Sequence, residues 1–476
     1  MLEQLHIKNF KGWHDTGEIQ MAPITLFFGA NSSGKSSIGQ FLMMLKQTVE
    51  SPDRKAVIFP GNRNSAVQLG SYIDMVFGHD PEKKIEFDYR WNLEDDLKFR
   101  DPLSDKFYSG DQLAFCASIV LDDRAQHTPI IDEFRYILRN SGNGEDTSII
   151  GMRRNVEKSA EYEVVAENYE IIKQRGRPGT LKAPYRFYGF PDEVVAYHQN
   201  ADFVQDLNLY HERLFRSISY LGPLRTKAER LYSWTGIEPE SVGYAGENTV
   251  AALLAARNRE INLVKPGARR ASRAKPFEEI IAEKLKGMGL IEEFRVSALS
   301  EQRQEYEVKV RAKGSREWVD LPDVGFGISQ VLPVLVQCFY APPGSIIIME
   351  QPEIHLHPSA QSALADVMID AINARENGTD RNIQLIIETH SEHFLRRLQR
   401  RIAEDAISQE RVSAYFANVS RTPAKLEPLQ IDMFGNIQNW PTNFFGDDMG
   451  DITGQAKAAL EKRRNQRQQA KDVVSG

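Results

Sequence analysis

The chain has 476 residues and a mass of 54.1 kDa, enough for a large core and more than one lobe. Its 41% hydrophobic and 26% charged residues are typical of a globular protein, and no apolar run is long enough to span a bilayer. The net charge of -7 excludes general attraction to nucleic acid, though not a local basic groove. Only two cysteines occur and no secretory leader is recognisable, so we expect a cytoplasmic protein without disulfides.

The first part of the chain predicts a buried strand that leads into a glycine loop. Ile24 to Phe28 is a nearly continuous apolar run, as expected for a strand buried on both faces. The loop Gly29-Ala30-Asn31-Ser32-Ser33-Gly34-Lys35-Ser36 follows it, and the next residues, to Val49, have apolar side chains at helical spacing. The loop matches G-x-x-x-x-G-K-[ST], and its place between strand and helix predicts a phosphate-binding loop.

The residue types in this loop are suited to binding a nucleoside triphosphate. Gly29 and Gly34 let backbone N–H groups close around phosphate oxygens at a helix N-terminus. Lys35 is predicted to reach the β and γ phosphates, and Ser36 to offer its hydroxyl to Mg²⁺. We therefore predict ATP and Mg²⁺ as cofactors. The predicted nucleotide-binding residues of the loop are Gly29, Asn31, Ser33, Gly34, Lys35, Ser36 and Ser37.

The middle of the chain predicts an antiparallel sheet layered on the nucleotide core. Alternating or apolar runs from Ile85 to Trp91, Phe115 to Leu121 and Phe134 to Leu138 indicate strands. Helical and strand signals mix between residues 140 and 215. A proline- and arginine-rich stretch at residues 265–276 predicts an exposed linker.

The last third returns to an alternating strand and helix pattern. A helix is predicted over residues 277–287, a strand pair over 294–311, and an apolar helix to Tyr340. Strands at residues 345–349 and 383–388, with a helix between them, predict a parallel βαβ unit. Glu350 ends the first of these strands and is predicted to be the second Mg²⁺-holding group beside Ser36.

These motifs together resemble the ABC-type ATPases of the RecF, SMC and OLD group. The resemblance implies an α/β fold, with an ABC-type P-loop core of mixed sheet and antiparallel β layer plus an inserted α/β or helical lobe. We expect ATPase halves at 1–139 and 291–420, the lobe at 140–290, and a small C-terminal domain with a basic tail at 421–476. Ile431 to Asn436 and Asn439 to Phe445 resemble the C-terminal domain of unknown function in one branch. The residues that carry the main resemblance are Asn9-Phe10-Lys11, the phosphate loop, Gly325 to Gln330, Glu350 to Pro358, and Glu388 to Ser391.

The resemblance also implies residue roles. Gly327, Ser329 and Gln330 would form the signature loop, which in the family contacts the γ-phosphate of ATP held by the other subunit. His390 would be the switch histidine near the γ-phosphate. For His355 and His357 we favour a structural or dimer-contact loop over a metal site, because no third ligand has suitable spacing.

Gln351 departs from the family pattern, which usually has a glutamate there to polarise the attacking water. A glutamine cannot accept a proton at neutral pH. Three explanations are open. This branch uses glutamine naturally to orient water, Glu353 replaces it as the base, or Gln351 is an engineered substitution that traps ATP. We favour a natural glutamine with slow turnover and intact ATP binding. The predicted catalytic residues are Glu350, Gln351, Glu353 and His390.

Weaker candidates remain beside these. Arg225 is either a phosphate or cross-subunit contact or an ordinary surface residue, and Gln68 is a candidate glutamine-loop residue. Arg396, Arg397, Arg400 and Arg401 would give one helix a basic face, a candidate DNA contact.

The favoured function is an ATP-dependent switch in antiphage defence. A homodimer or higher oligomer would sandwich ATP and control a separate effector, such as a nuclease, since the acidic group Asp447, Asp448 and Asp451 looks solvated rather than catalytic. A RecF-like DNA-repair or DNA-binding ATPase and a stand-alone nuclease with an unrecognised site are the alternatives.

Overall fold

The computed structural model describes residues 1–122, 128–142, 145–155, 161–177, 180–264, 273–300, 303–418, 423–441, 444 and 453–463. Its strands are β1 Leu2–Phe10, β2 Trp13–Asp15, β3 Ile19–Gln20, β4 Ile24–Gly29, β5 Ile85–Arg100, β6 Phe107–Asp122, β7 Thr128–Asn140, β8 Glu145–Arg154, β9 Tyr162–Glu167, β10 Ile218–Leu221, β11 Tyr232–Ser233, β12 Glu260–Asn262, β13 Lys275–Pro276, β14 Glu293–Ala298, β15 Glu305–Arg311, β16 Trp318–Asp320, β17 Ile346–Glu350, β18 Arg375–Glu376, β19 Thr379–Asp380, β20 Gln384–Glu388, β21 Val412–Asn418 and β22 Lys425–Pro428.

The helices lie mainly between the parallel strands. They are α1 Lys35–Glu50, α2 Tyr72–Met75, α3 Asp192–Tyr197, α4 Val204–Arg216, α5 Thr249–Ala255, α6 Phe277–Gly287, α7 Phe326–Tyr340, α8 Pro358–Asn373 and α9 Glu392–Ala403, with 3-10 turns at Phe77–His79, Leu321–Asp323 and Gln409–Arg411. None of the described helices is both long and apolar enough to cross a membrane.

A six-stranded sheet carries the two motifs that the sequence singled out. Its order is β10-β17-β20-β4-β21-β22, and all neighbours pair in parallel except β21 and β22. Strand β20 therefore lies between β17, which ends at Glu350, and β4, which leads into the glycine loop. The parallel βαβ unit predicted from the sequence is confirmed by the pairing of β17 with β20. The carboxyl ends of these strands meet at one edge of the sheet, where α/β folds place their ligands.

Both faces of this sheet are buried, in agreement with the apolar runs of its strands. Ile346 and Ile348 of β17 belong to one hydrophobic core, while Ile347 and Met349 belong to the other. The first core contains α1, α4 and a second, antiparallel sheet, and the second core contains α5 to α9. The resulting layers are antiparallel sheet, helices, parallel sheet, helices, which is a four-layered α/β arrangement.

The antiparallel layer is an eight-stranded sheet of order β2-β1-β5-β6-β7-β8-β9, with β3 paired to β1. It confirms the layer predicted from the alternating runs, although β5 and β6 are each longer than the sequence indicated. Phe41 of α1 packs edge-on against Phe10 of β1 and Phe87 of β5, with ring centroids 5.1 Å apart in both pairs. These contacts fix the phosphate-loop helix against the antiparallel sheet.

The proposed inserted lobe, residues 140–290, contributes strands to both large sheets. Strands β8 and β9 extend the antiparallel sheet, and β10 forms an edge of the parallel sheet. The predicted helix Phe277–Gly287 and the strand pair β14–β15 are confirmed. The division into four domains remains our proposal. Most of the predicted linker at 265–276 and the acidic group Asp447, Asp448 and Asp451 lie outside the described residues.

Candidate nucleotide-binding site

The glycine loop joins β4 directly to α1, as its sequence predicts. Gly34 caps the helix at φ 88°, a left-handed conformation that favours glycine. A Cβ at Gly34 would lie 3.1 Å from the Trp13 indole, and one at Gly29 would lie 2.8 Å from the Ala417 carbonyl oxygen. Both glycines are therefore required by backbone conformation and by close neighbours. This geometry leaves the N-terminus of α1 open toward the loop.

Trp13 contacts the glycine loop, a role that no sequence pattern predicted. Its indole N–H donates to the Gly34 carbonyl oxygen at 3.0 Å and to the Ser37 hydroxyl at 2.9 Å. Trp13 is completely buried. The contact links β2 of the antiparallel sheet to the first turn of α1.

Lys35 lies inside the loop with its ammonium group among oxygen atoms. Its Nζ donates to the carbonyl oxygens of Gly29 and Ala30 at 3.0 and 2.7 Å, and it lies 3.9 Å from a carboxylate oxygen of Glu388. Burial lowers the pKa of Lys35, while the charge of Glu388 acts to raise it. The lysine is therefore a buried cation at the point where a phosphate loop meets its ligand.

The loop and the ends of β17 and β20 enclose a cavity of about 540 Å³. Most of the predicted site residues meet here: Asn31, Ser33, Gly34, Lys35, Ser36, Ser37, Glu350, Gln351 and His390. Gly29 does not line the cavity, but its carbonyl oxygen accepts a hydrogen bond from Lys35. Seven further residues, for which the sequence motifs predicted no role in the site, also line the cavity: Lys11, Gly12, Ser32, Gln40, Pro223, Glu388 and Ala424.

Two carboxyl groups lie next to each other at this edge of the sheet. Glu350 and Glu388 are register partners at the ends of β17 and β20. Glu350 is 8% exposed and accepts a hydrogen bond of 2.7 Å from the Tyr220 hydroxyl. Burial raises the pKa of Glu350 to about 7, with Glu388 adding to the rise and Tyr220 and Lys11 opposing it. A cation would favour the ionised form of this group.

Glu388 is the other member of this pair. Burial raises its pKa as well, against the opposing effects of a hydrogen bond from Ser36 and the charge of Lys35. One of its carboxylate oxygens, Oε2, is buried without a hydrogen-bond partner. The residue was visible in the sequence as the acid before Thr389-His390-Ser391, but only the sheet order brings it to the loop.

Gln351 has a left-handed backbone, with φ 46°. Its N–H donates to the Glu388 carbonyl oxygen at 2.8 Å, which ties the turn after β17 to the end of β20. Its side chain lines the cavity. The position where the related ATPases usually carry glutamate is therefore occupied, at the cavity wall, by a side chain that cannot take a proton.

Glu353, another predicted catalytic residue, does not line this cavity. It is buried, and its Oε1 accepts the backbone N–H of His390 at 2.8 Å. Burial raises the pKa of Glu353, and the hydrogen bonds and the charge of Arg225 oppose that rise. The carboxyl group therefore supports the strand end that carries His390. His390 itself lines the cavity, and burial together with the charge of Lys35 lowers its pKa.

Arg225 is buried, so the surface reading of this residue is wrong. It is 9% exposed and its Nη2 donates to the Glu350 carbonyl oxygen at 3.4 Å, while Nε and Nη1 have no hydrogen-bond partner. Burial lowers its pKa to about 10. The guanidinium lies behind the acidic strand end rather than in the cavity. Gln68, by contrast, is exposed and does not line the cavity, so its candidacy for a glutamine loop gains no support.

The predicted signature loop lies apart from the cavity of its own chain. Gly327, Ser329 and Gln330 stand in the first turn of α7, and none of them lines the phosphate-loop cavity. The Ser329 hydroxyl donates to the Phe326 carbonyl oxygen at 2.9 Å, and Gln330 is buried. Phe326 beside them is 63% exposed. The loop is thus presented at the surface and not to the nucleotide site of the same chain.

The histidines before α8 have no metal-site geometry. His357 caps α8, where its Nδ1 accepts the Ser359 N–H at 3.3 Å. His355 is exposed, with its ring 6.0 Å from that of Phe326. Within the described ranges, no group of three His, Cys, Asp or Glu side chains could hold a metal ion.

The arginines of α9 do not form the free basic face expected from their spacing. Arg397 and Arg401 both pair with Asp366 of α8, with shortest distances of 2.6 and 2.7 Å. Arg396 pairs with Glu392, and Arg400 with Glu404. Helical spacing shows which residues share a face but not which acids the neighbouring helix supplies, and DNA contact by this face stays a prediction.

Lys11 is a further residue that sequence reasoning left outside the site. It was noted only as part of Asn9-Phe10-Lys11. Its Nζ donates to Gln40 Oε1 at 2.6 Å, and burial lowers its pKa while the charge of Glu350 acts to raise it. A second cation thus lines the cavity opposite the acids.

Comparison with protein-family models identifies the family of this chain. Residues 139–396, more than half of the chain, match the model described as "AAA domain, putative AbiEii toxin, Type IV TA system". The chain belongs to this AAA ATPase family. Residues 1–211 match a model described as "AAA ATPase domain". The protein is an ABC-type P-loop ATPase of α/β fold, which confirms the resemblance drawn from the motifs.

The C-terminal resemblance is confirmed as well. Residues 407–455 match "Protein of unknown function (DUF3696)". No curated protein matches the sequence.

The solved structures that this ATPase is similar to include three SMC head domains. An SMC head bound to the C-terminal winged-helix domain of ScpA has 13% identity and a TM-score of 0.40, over 90% of this chain and 98% of that one. The SMC head from Thermotoga maritima has 12% and 0.37, over 90% and 99%. An SMC head with an extended coiled coil, bound to the C-terminal domain of ScpA derived from Pyrococcus furiosus, has 12% and 0.39, over 97% and 99%. With TM-scores below 0.5, these likenesses support no statement about partners or function.

Proposed function

We propose that this ATPase binds Mg-ATP, hydrolyses it slowly, and acts as a nucleotide-dependent switch that controls a separate effector in antiphage defence. The observation that carries the slow-switch part is Gln351 at the cavity wall. Neutral glutamine can orient a water molecule but cannot accept its proton. Glu353 is held by the His390 backbone outside the cavity lining, so it is not well placed to replace the missing base.

The residues at the loop fit Mg-ATP in charge and in donor type. Backbone N–H groups at the start of α1 and the Lys35 ammonium would bind the phosphates. The Ser36 hydroxyl and the Glu350 carboxylate would hold Mg²⁺, an ion that prefers oxygen ligands. Buried, adjacent carboxyl groups with a raised pKa are the kind of donor set that a divalent cation would stabilise. Bound Mg²⁺ would supply charge neutralisation of the phosphates.

The place of the signature loop supports assembly of two copies. Gly327 and Ser329 do not face the cavity of their own chain, and exposed Phe326 marks a surface open to another molecule. A two-fold pair would bring the α7 N-terminus of one copy to the phosphate-loop cavity of the other. ATP would then hold the two copies together, and slow hydrolysis would keep that state for a long time.

The effector and the biological setting go beyond the family description, which names a putative AbiEii toxin of a type IV toxin–antitoxin system. A separate effector, such as a nuclease, is the proposed partner, and the cytoplasm is the proposed location. The DNA-binding alternative is weaker, because Asp366, Glu392 and Glu404 pair with the four α9 arginines and offset most of their charge.

The switch can be tested by measuring molar mass in solution with light scattering. We expect the mass to double with Mg-ATP but not with ADP or with ATP and EDTA. Lys35→Ala and Ser329→Arg should each prevent doubling for different reasons, one in the phosphate loop and one in the signature loop. Mixing the two variants restores one intact composite site per pair, so partial doubling is expected only in the mixture. A wild-type chain that binds Mg-ATP and stays at monomer mass would refute the sandwich.

A further inference from the structure

Glu388 occupies a place in the cavity that the motif roles leave unexplained. It ends β20, the strand between the Glu350 strand and the loop strand, so it lies closer to the glycine loop than β17 does. Its Oε1 is 3.9 Å from Lys35 Nζ, and the Ser36 hydroxyl acts to lower the pKa of its carboxyl group. Among the acids that line the cavity, it is the one that reaches both key side chains of the loop.

The observed contacts of Glu388 leave part of its hydrogen-bonding capacity unused, which a purely structural role does not explain. The distance to Lys35 is long for an ion pair, and Lys35 gives its shorter hydrogen bonds to the Gly29 and Ala30 carbonyl oxygens. Its Oε2 is buried and has no hydrogen-bond partner, and the side chain as a whole is only 11% exposed. A buried carboxylate oxygen without a partner costs folding free energy, and a bound cation would remove that cost.

We propose that Glu388 is a second carboxylate of the Mg²⁺ site, so that the metal of Mg-ATP is held between Ser36, Glu350 and Glu388. This inference rests on the proposed ATP-binding function and adds one residue to it. The register of β17 and β20 places the two acids on adjacent strands, about 4.8 Å apart along the hydrogen-bonding direction. The Ser36 hydroxyl completes a set of oxygen donors at the open end of α1.

The two acids also predict how nucleotide and metal depend on each other. ATP without metal brings several negative charges into a cavity where the two carboxylates already offset the charges of Lys35 and Lys11. Metal-free ATP should therefore bind poorly, and Mg²⁺ should strengthen binding strongly. A structural role for Glu388, such as supporting Lys35, predicts a different result, because its loss would weaken binding with and without metal alike.

The experiment measures binding of a fluorescent, non-hydrolysable ATP analogue to the full chain, in Mg²⁺ and in EDTA. Compared with wild type, Glu388→Gln should bind the metal-free analogue about tenfold more tightly, since one repelling charge is removed. In Mg²⁺ it should bind more weakly. Affinity of the analogue complex for Mn²⁺, followed by electron paramagnetic resonance, should fall about ten- to a hundredfold. Glu392→Gln is the matched control: this exposed acid pairs with Arg396 outside the cavity, and all three affinities should stay unchanged.

The possible results separate this proposal from the one beneath it. Unchanged Mn²⁺ affinity in Glu388→Gln, or equal weakening in Mg²⁺ and in EDTA, would overturn the metal role. A wild-type chain that binds no analogue under either condition would instead overturn the ATP-binding proposal. If Glu388→Gln does not fold, Glu388→Asp keeps the charge, so weak metal-free binding with reduced Mn²⁺ affinity is expected. Tighter metal-free binding by Glu388→Asp would contradict the charge argument.

Discussion

Replacing Gln351 with glutamate tests whether the missing base limits ATP hydrolysis. The change is nearly isosteric, and glutamate carries the same backbone N–H that bonds the Glu388 carbonyl oxygen at 2.8 Å. The left-handed backbone at φ 46° is no harder for glutamate than for glutamine. Gln351→Glu should therefore leave the fold intact and add a proton acceptor at the cavity wall.

The size of the gain follows from the neighbours of Gln351. A positioned general base contributes about 10²- to 10⁴-fold. Glu350 and Glu388 are both close, and like charges raise the pKa of a new carboxyl group and make it a less ready base at low pH. We expect a gain near the lower limit, about a hundredfold in kcat, or about 2.7 kcal/mol in activation free energy.

The assay is steady-state phosphate release at saturating Mg-ATP across a pH series. The activity of Gln351→Glu should rise with pH as the new carboxyl group ionises. Gln68→Glu, at an exposed position outside the cavity, makes the same chemical change as a control and should leave kcat unchanged. An unchanged or lower kcat in Gln351→Glu, with ATP affinity intact, would refute the view that this position limits turnover.

Three further variants probe the site and its support. Gly34→Ala should lower the free energy of unfolding by about 1–3 kcal/mol in urea titrations, because alanine is strained at φ 88° and its Cβ would approach the Trp13 indole to 3.1 Å. In EDTA, Glu350 keeps its proton up to about pH 7 in the folded state but to about 4.5 in the unfolded chain. Stability should therefore fall as pH rises through that window, by up to about 3 kcal/mol, and Glu350→Gln should remove that loss. Arg381→Met should cost about 3–5 kcal/mol on chemical unfolding, because this fully buried guanidinium donates to carbonyl oxygens at the end of α7 and lies 3.4 Å from Glu376.

Matched variants separate these effects from general damage. Gly176→Ala also places alanine at positive φ, 80°, but with no atom within 4 Å of the new Cβ, so a smaller loss is expected. Glu392→Gln should leave the pH dependence of unfolding as in wild type. Arg375→Met removes a partly exposed ion pair with Asp380 and should cost less than about 1 kcal/mol. Equal losses in a variant and its control would contradict the contact assigned to the buried residue.

Local sequence rules were enough for the elements that carry the motifs. The glycine loop lies between β4 and α1 because a buried apolar run, two glycines and a helical repeat can satisfy their backbones in few other ways. The helix Phe277–Gly287 and the β17–β20 pair were predicted for the same reason. In each case the signal is the periodicity of neighbouring residues, which the chain carries without reference to distant parts.

Predictions that depended on distant partners fared less well. Arg225 was open between a surface and a site role, and only the packing against β17 shows that it is buried. The α9 arginines share a face as predicted, yet they pair with acids from α8 and with acids close to them in sequence. Trp13 of β2 contacts the glycine loop, and Lys11 in the turn before β2 contacts Gln40 of α1. Both contacts depend on sheet pairing that no local pattern encodes.

The sequence by itself predicted a phosphate-binding loop at Gly29 to Ser37 and an acidic strand end that meets that loop. It also showed that Gln351 stands where a base is expected. Only the tertiary structure decided which acids meet the loop, because the order β17-β20-β4 places Glu388 between Glu350 and Lys35. That order depends on strand pairing between residues hundreds of positions apart. Local backbone chemistry determines the conformation of a motif, but long-range packing determines which residues lie next to it.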